Sequence, residues 1–593
     1  MILQALKEYY DRKVMDPESG IAPLGWEWKE IPFNIVLDNE GVFVQFDDNR
    51  EGEGTKKRGK SFLVPQGVKK TSGVAANLLW DSAGYVLGIA NTEGLNADEK
   101  KRKNARIPEQ KKAFMDRIQN ELPDTPQKNA IFTFLSILNI SLLEKAPQWE
   151  DIYKTNPVIS FRFDGDLQLY CQTEEVKRAI VSKNTVDKNS GICLITGEKD
   201  HISSLHTAIK GVWGAQTSGA NIVSFNLDAF RSFGKEQGKN APVGETAMFA
   251  YTTALNTLLD RNSSQRMQIG DASTVFWSDQ HTQFEEDFSS FFKEPPKDDP
   301  DVGNLCIKNL FDAPNTGAYV EDSGKEKFFV LGLSPNAARI AVRFWMKGTV
   351  SEFAENIRKH FKDLEIVKPK NEPLYYSLWR LLVNTAVQDK SENIPPNMAG
   401  DFMRAILSGT PYPATLLQAV LRRIKSDTTN RVKPVRAALI KAYLNRLLYA
   451  KSNYSEKEVL QVGLDTGQFS IGYNLGRLFA VLEKIQEEAN PSLNATIRER
   501  YYGAACGSPV SVYPTLMRLK NHHLAKLPNK GRKKNFEILI GEIMGHFNDF
   551  PPHLSLHEQG KFAVGYYHQR HDFYTSNKDD TQGMSDVLNE TAK

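Results

Sequence analysis

The stretch Gly54–Ser61, GTKKRGKS, carries two glycines five positions apart followed by Lys60 and Ser61, the spacing of a loop that cradles phosphates. In such a loop, backbone N–H groups and a helix N-terminus surround the anion, so a buried strand must lead in and a helix must begin at the Lys-Ser pair. Neither flank suits that geometry. Upstream, FDDNREGE is acidic and polar where a buried strand would end, and downstream Pro65 and Gly67 fall where the helix would continue. No convincing apolar strand ending in an Asp offers to hold magnesium. The expectation is no ATP site, and attention passes to the letters the pattern ignores, Lys56, Lys57 and Arg58.

Other reactive residue types are scattered. Cys171, Cys193, Cys306 and Cys506 show no paired spacing, which argues against a disulfide framework and a structural zinc site. Cys193 with His201 and His206 lacks a second ligand pair, and Asp164 and Asp166 flank a glycine as a tight turn demands. His522, His523, His568 and His571 lie in helical surroundings beside Lys and Arg and read as packed or phosphate-facing. Asp81, Glu93 and Asp98 could in principle serve a nuclease, but they form no compact set. No catalytic residue, metal or cofactor is expected.

Charge is informative through its distribution. The net charge is only +3, yet six Lys or Arg and no acid lie between Thr55 and Trp80, seven against Glu109 between Lys100 and Lys112, and nine against Glu499 between Ile497 and Asn535. Three basic islands in a nearly neutral chain suit local anionic partners. In the first, Lys56, Lys57, Arg58, Lys60, Lys69 and Lys70 alternate with Gln66, Thr71, Ser72 and Asn77, with Gly67 and Gly73 bracketing the loop. Cations hold phosphates while short polar side chains reach base edges, so the mixture suits a duplex-contacting loop. The bland alternative is a solvated loop in which Thr71 and Ser72 cap the next helix. Gln216, Thr217, Ser218 and Asn221 form a second candidate polar loop. Arg518, Lys520, Lys526, Lys530, Arg532, Lys533 and Lys534 make up the third island's candidate phosphate contacts.

These residues need elements to position them. A chain of 593 residues should form two or three domains, since single cores seldom exceed ~250–300 residues. MILQALKEYYDRK reads as an amphipathic helix rather than a signal, and the longest nearly apolar run, Ile131–Leu143, is 13 residues, short of the ~20 a membrane span needs; cytoplasmic residence is expected. FNIVLDNEGVFVQF reads as a hairpin, and ISFRFDGDLQLY repeats the pattern with Asp-Gly at its bend. Ala241–Arg261 reads as a helix. KFFVLGL followed by SPNAARIAVRFW reads as a strand and then a helix, with Ser334 as N-cap and Pro335 at the first helical position. Beyond about residue 365 only helical periodicity remains. The expected fold class is α+β: a mixed α/β region with short antiparallel strands and long loops over 1–365, an all-α helical bundle over 366–575, and a disordered tail over 576–593.

The blocks GVWGAQTSGANIVSFNLDAFRSFGKEQGKNAPVGETAMFAYTTALNTLLDR, VFWS, FFVLGLSPNAARIAVRFW, IGYNLGRLFAVLEKIQ and FAVGYYHQR resemble the large subunit of type I-C CRISPR surveillance (Cascade) complexes, and the likeness runs from LQALKEYYDR to about His571. The resemblance implies a nonenzymatic subunit at the 5′ end of a guide RNA. Such a subunit reads the protospacer-adjacent motif on target double-stranded DNA, helps open the duplex, and provides the surface that recruits a separate helicase–nuclease. It implies partners among the backbone and guide-5′-end subunits, and small helical subunits made from the C-terminal part of the same gene by internal initiation. The helical half would hold the displaced strand and the target strand's backbone. Delegating sequence reading to guide pairing leaves protein only a few base pairs to read. An autonomous metal-dependent nuclease or a P-loop motor is the reading from another class.

Overall fold

The computed structural model describes residues 1–52, 57–68, 70, 73–182, 190–294, 301–316, 325–337, 339–395, 397–427, 431–491, 493 and 495–574. Lys56, Lys69, Thr71, Ser72 and the tail over 576–593 lie outside them. The chain divides into two compact units: Met1–Ile209 with Asn221–Thr257, and Lys210–Ala220 with Leu258–Lys593.

The first unit opens on α1 (Ile2–Val14), whose buried face carries Ala5, Leu6, Tyr9 and Tyr10. Its strands are β1 (Trp26–Glu30), β2 (Phe33–Leu37), β3 (Phe43–Asp48), β4 (Arg50–Glu51), β5 (Arg58–Gly59), β6 (Ser61–Pro65), β7 (Trp80–Ser82) and β8 (Val158–Phe163). A four-stranded sheet runs β3-β2-β8-β7, while β1 pairs with β6 and β4 with β5. The expected β2–β3 hairpin is present. The Asp38 carboxylate accepts from the Glu40 and Val42 N–H groups at 2.9 and 2.8 Å, and Gly41 has φ +86°. A Cβ there would stand 2.3 Å from the Ala130 carbonyl oxygen, so only glycine fits.

ISFRFDGDLQLY is not a hairpin. Its first half is β8, whose two edges are taken by β2 and β7, and the turn at Gly165 leads to a 3-10 turn at Tyr170–Gln172. Leu169, Tyr170 and Cys171 are all buried in succession, whereas a returning strand would alternate. The long helix α2 (Ala97–Glu121) begins with a capping box between Asn96 and Glu99; Phe114 and Ile118 anchor it to the core of Ile35, Ile131 and Phe161. Short strands β9 (Ser190–Ile192) and β10 (Lys199–His201) precede α3 (Glu245–Leu258), the helix expected within Ala241–Arg261.

In the second unit β11 (Arg266–Ile269), β12 (Ala272–Ser278), β13 (Lys327–Asn336) and β14 (Arg339–Thr349) form an antiparallel sheet in chain order. SPNAARIAVRFW is therefore strand, not helix. Ser334 and Pro335 pair with Ala341 and Ile340, and the run from Arg339 is rich in β-branched and aromatic residues, whose packing on a pleated surface outweighs a local Ser-Pro start signal. Thr349 caps α4 (Val350–Asp363) in a box with Glu352. Helices α5 (Pro434–Tyr449), α6 (Ile471–Ala489), α7 (Ile497–Gly507), α8 (Pro509–Lys526), α9 (Lys530–Met544) and α10 (Leu556–Tyr574) follow, with shorter ones between. No strand follows Thr349 among the described residues, and the α+β class holds. Phe276, Phe328 and Phe344 of the sheet belong to one hydrophobic core with Phe353, Phe402 and Phe479 of the helices.

Candidate nucleic-acid interface

The first island starts at an exposed edge. Lys57, Arg58 and Lys60 are exposed and make no ion pair among the described residues; Arg58 lies opposite Glu51 in the short β4–β5 ladder. Ser61–Pro65 is a strand, where a nucleotide-binding loop would start its helix.

The next segment folds around a buried carboxylate. Asp81 is 3% exposed and accepts from the Lys70 ammonium at 2.6 and 2.7 Å and from the backbone N–H groups of Asn77 and Ser82 at 2.9 and 2.8 Å. Lys70 also stands 3.7 Å from the centre of the Tyr85 ring. The Asn77 side chain is buried, and its oxygen accepts from the Val68 N–H at 3.0 Å. The Trp80 indole donates to the Pro65 carbonyl at 2.8 Å. Lys70 and Asn77 thus hold the loop to its own base, while Gln66 is half-buried. Gly67 fits against Trp80, whose ring would be 3.1 Å from an added Cβ, and Gly73 has open space around it.

Helix α2 displays the second island. Lys100, Lys101, Arg102, Lys103 and Arg106 are exposed, and Arg102 and Arg106 line an open cavity of about 710 Å3 whose other walls include Ile89, Leu95 and Asn156. Lys103 donates to the Asn91 carbonyl at 2.7 Å. This island was visible as a charge run, but the cavity beside it depends on the distant loop around Asn156 and had no local signal.

The second candidate loop is divided between the two units. Gln216, Thr217 and Ser218 are exposed, on a backbone pinned by the Trp213 N–H donating to Ser273 Oγ at 2.9 Å and the Gly219 N–H donating to the Gln216 carbonyl at 2.9 Å. Asn221 instead donates to the His206 carbonyl at 2.8 Å. His206 Nδ1 lies 2.5 Å from the Tyr251 hydroxyl, and the Ile195 N–H donates to Cys193 Sγ at 3.4 Å. No group of three or more His, Cys, Asp or Glu able to hold a metal converges among the described residues.

The third island occupies α8 and α9. Arg518, Lys526, Lys530 and Lys534 are exposed, and Lys520 and Lys533 half-buried. Lys526 donates to the Asn490 side-chain oxygen at 3.2 Å. Arg532 is engaged twice, by Glu488 at 2.8 Å and over the Phe536 ring at 4.4 Å. The hydrogen bond from Arg532 holds the Glu488 carboxyl below its ordinary range, and the same bond raises the guanidinium. Burial, with Lys526 and His522 beside it, lowers His523, so its ring stays neutral near neutral pH. Cations facing solvent on separate elements suit electrostatic contact with a polyanion.

The described residues thus form an α+β chain with exposed cations on the β5–β6 segment, on α2 and on α8 and α9. A family model described as CRISPR-associated protein (Cas_Csd1) matches residues 6–574, and the chain belongs to that family. Membership makes it a CRISPR-associated protein of the Cascade large-subunit type. No curated protein matches the chain. No helix among the described residues is long and apolar enough to cross a membrane.

Proposed function

We propose that this chain is the nonenzymatic DNA-recognition subunit of a type I-C Cascade complex. It reads the protospacer-adjacent motif on duplex DNA, assists strand opening, steadies the displaced strand and helps recruit a helicase–nuclease. The observation that carries the reading is the exposed cationic edge of Lys57, Arg58 and Lys60, joined by the strand Ser61–Pro65 to the segment in which Lys70 pairs with buried Asp81, in a chain of this family. Base-edge reading requires short polar groups on a loop, while cations hold the phosphates.

Lys70 and Asn77 serve as braces, so direct reading falls to Gln66, Lys69, Thr71 and Ser72, with Gln216, Thr217 and Ser218 as the second reading loop. Each good base contact discriminates by roughly 1–3 kcal/mol. Complexes assembled with Lys69→Ala or Thr71→Ala/Ser72→Ala, tested on targets that differ only in the adjacent motif, should lose discrimination and retain general affinity. Unchanged discrimination in these variants and in Gln216→Ala/Thr217→Ala/Ser218→Ala would place the reading head elsewhere.

A further inference from the structure

The loop from Asn226 to Asn240 combines an unfavourable backbone with an unfavourable exposure. Ser232 and Lys235 form an antiparallel bridge, and the Lys235 N–H donates to the Ser232 carbonyl at 2.9 Å. The two central residues, Phe233 and Gly234, have φ of +51° and +69°. Positive φ at both centres marks a type I′ turn, where the first position favours Asn, Asp or Gly. A bulky aromatic there is a backbone outlier. Phe233 is also 98% exposed, so no packing within the chain offsets the strain. Gln237, with φ +49°, adds a second left-handed non-glycine residue.

The loop is nonetheless firmly built. The Asn240 side chain ties three points together, donating to the Lys235 and Gln237 carbonyls at 3.2 and 3.1 Å and accepting from the Ser232 N–H at 3.1 Å. Gly238 sits so close to the chain that an added Cβ would be 2.0 Å from the Ser203 carbonyl. Charge is sorted as well. Arg231 pairs with both acids of the loop, Asp228 at 3.2 Å and Glu236 at 3.5 Å, which leaves Lys235 and Lys239 unpaired among the described residues. A rigid mount therefore displays an aromatic face with two unneutralised ammonium groups in the same loop. Strain retained in a well-braced segment points to function.

We propose that Phe233 is a stacking finger for an unpaired base of single-stranded nucleic acid, with Lys235 and Lys239 holding the adjoining phosphates. Every base has a π-face, so the contact is indifferent to sequence, and the two lysines select a polyanion over an apolar partner. The proposal rests on the DNA-recognition reading and adds a contact to the opened strand that the motif-reading loops do not make.

The test titrates the chain with a short oligothymidylate carrying one central 2-aminopurine, whose fluorescence stacking quenches. Wild type should bind and quench. Phe233→Asn should weaken binding roughly tenfold or more and abolish quenching, while raising Tm or leaving it unchanged, because Asn suits the turn. Phe233→Tyr should keep both properties. A fall in Tm in Phe233→Asn would mean a packing role, and quenching equal to wild type, or none in wild type, would overturn the stacking. Loss of complex assembly with single-strand binding intact would identify a protein contact instead and equally overturn it. Phe233→Asn should still discriminate motifs in the assembled complex, so failure here and failure of the motif-reading assignment are distinguishable.

Discussion

Lys70 shows how a cation that looks like a phosphate anchor can have its charge committed within the fold. Its ammonium lies 2.6 Å from a buried carboxylate oxygen and over an aromatic ring. Lys70→Ala would leave Asp81 with backbone donors only, and an unneutralised buried carboxylate is costly. The variant should lose about 1–3 kcal/mol of stability, measured by chemical denaturation of the isolated chain, before any effect on DNA is considered. A fully stable Lys70→Ala chain with weakened DNA binding would return Lys70 to the phosphate contacts. The sequence displays every cation but not its partner. Lys70 meets Asp81 eleven residues on, and Arg532 meets Glu488 forty-four residues back, separations that no helix or turn spacing announces. Asn77 likewise reads as a donor for bases and proves to be a cap for the Val68 N–H.

Helices α6 and α10 show what can be read at the scale of elements. IGYNLGRLFAVL and FAVGYYHQR stand out in the sequence, and their glycines are points of backbone contact. A Cβ on Gly472 would be 2.2 Å from the Glu558 carbonyl, on Gly476 2.0 Å from that of Phe562, and on Gly565 2.1 Å from that of Tyr473. Glycines four apart lie on one helix face and allow the axes to approach more closely than side chains would permit. Gly476→Ala should therefore cost roughly 1–3 kcal/mol or more by overpacking, although alanine is the better helix former. Calorimetry of the variant checks the sign: a gain in Tm would mean the helices can separate freely. Helical periodicity made α5, α6, α8 and α10 legible because each buries a broad apolar face. The β13–β14 hairpin was not legible, since Ser-Pro is a valid helix start and only pairing with β12 and β13 decides for strand. The second half of ISFRFDGDLQLY failed for a related reason: both edges of β8 were already paired by residues distant in sequence.

Across the whole molecule, a net charge of +3 conceals three basic islands in the sequence, and these were the most legible part of the candidate interface because charge runs need no tertiary information. On the third island, replacing Lys530, Arg532, Lys533 and Lys534 together with Ala should weaken DNA binding equally on all sequences. The slope of log affinity against log salt should fall by about 0.7–0.9 per lost phosphate contact. Arg532, already paired with Glu488, should contribute less than the lysines. A selective loss on one motif with an unchanged slope would contradict this electrostatic role. The central claim is that this chain supplies motif reading and strand opening to an RNA-guided complex. The direct measurement compares complexes assembled with and without it on targets bearing the right or wrong adjacent motif, following affinity and permanganate reactivity of unpaired thymines together. With the chain present, the right motif should bind tightly and open; without it, both targets should bind alike and stay closed. Equal discrimination and opening in its absence would contradict the account.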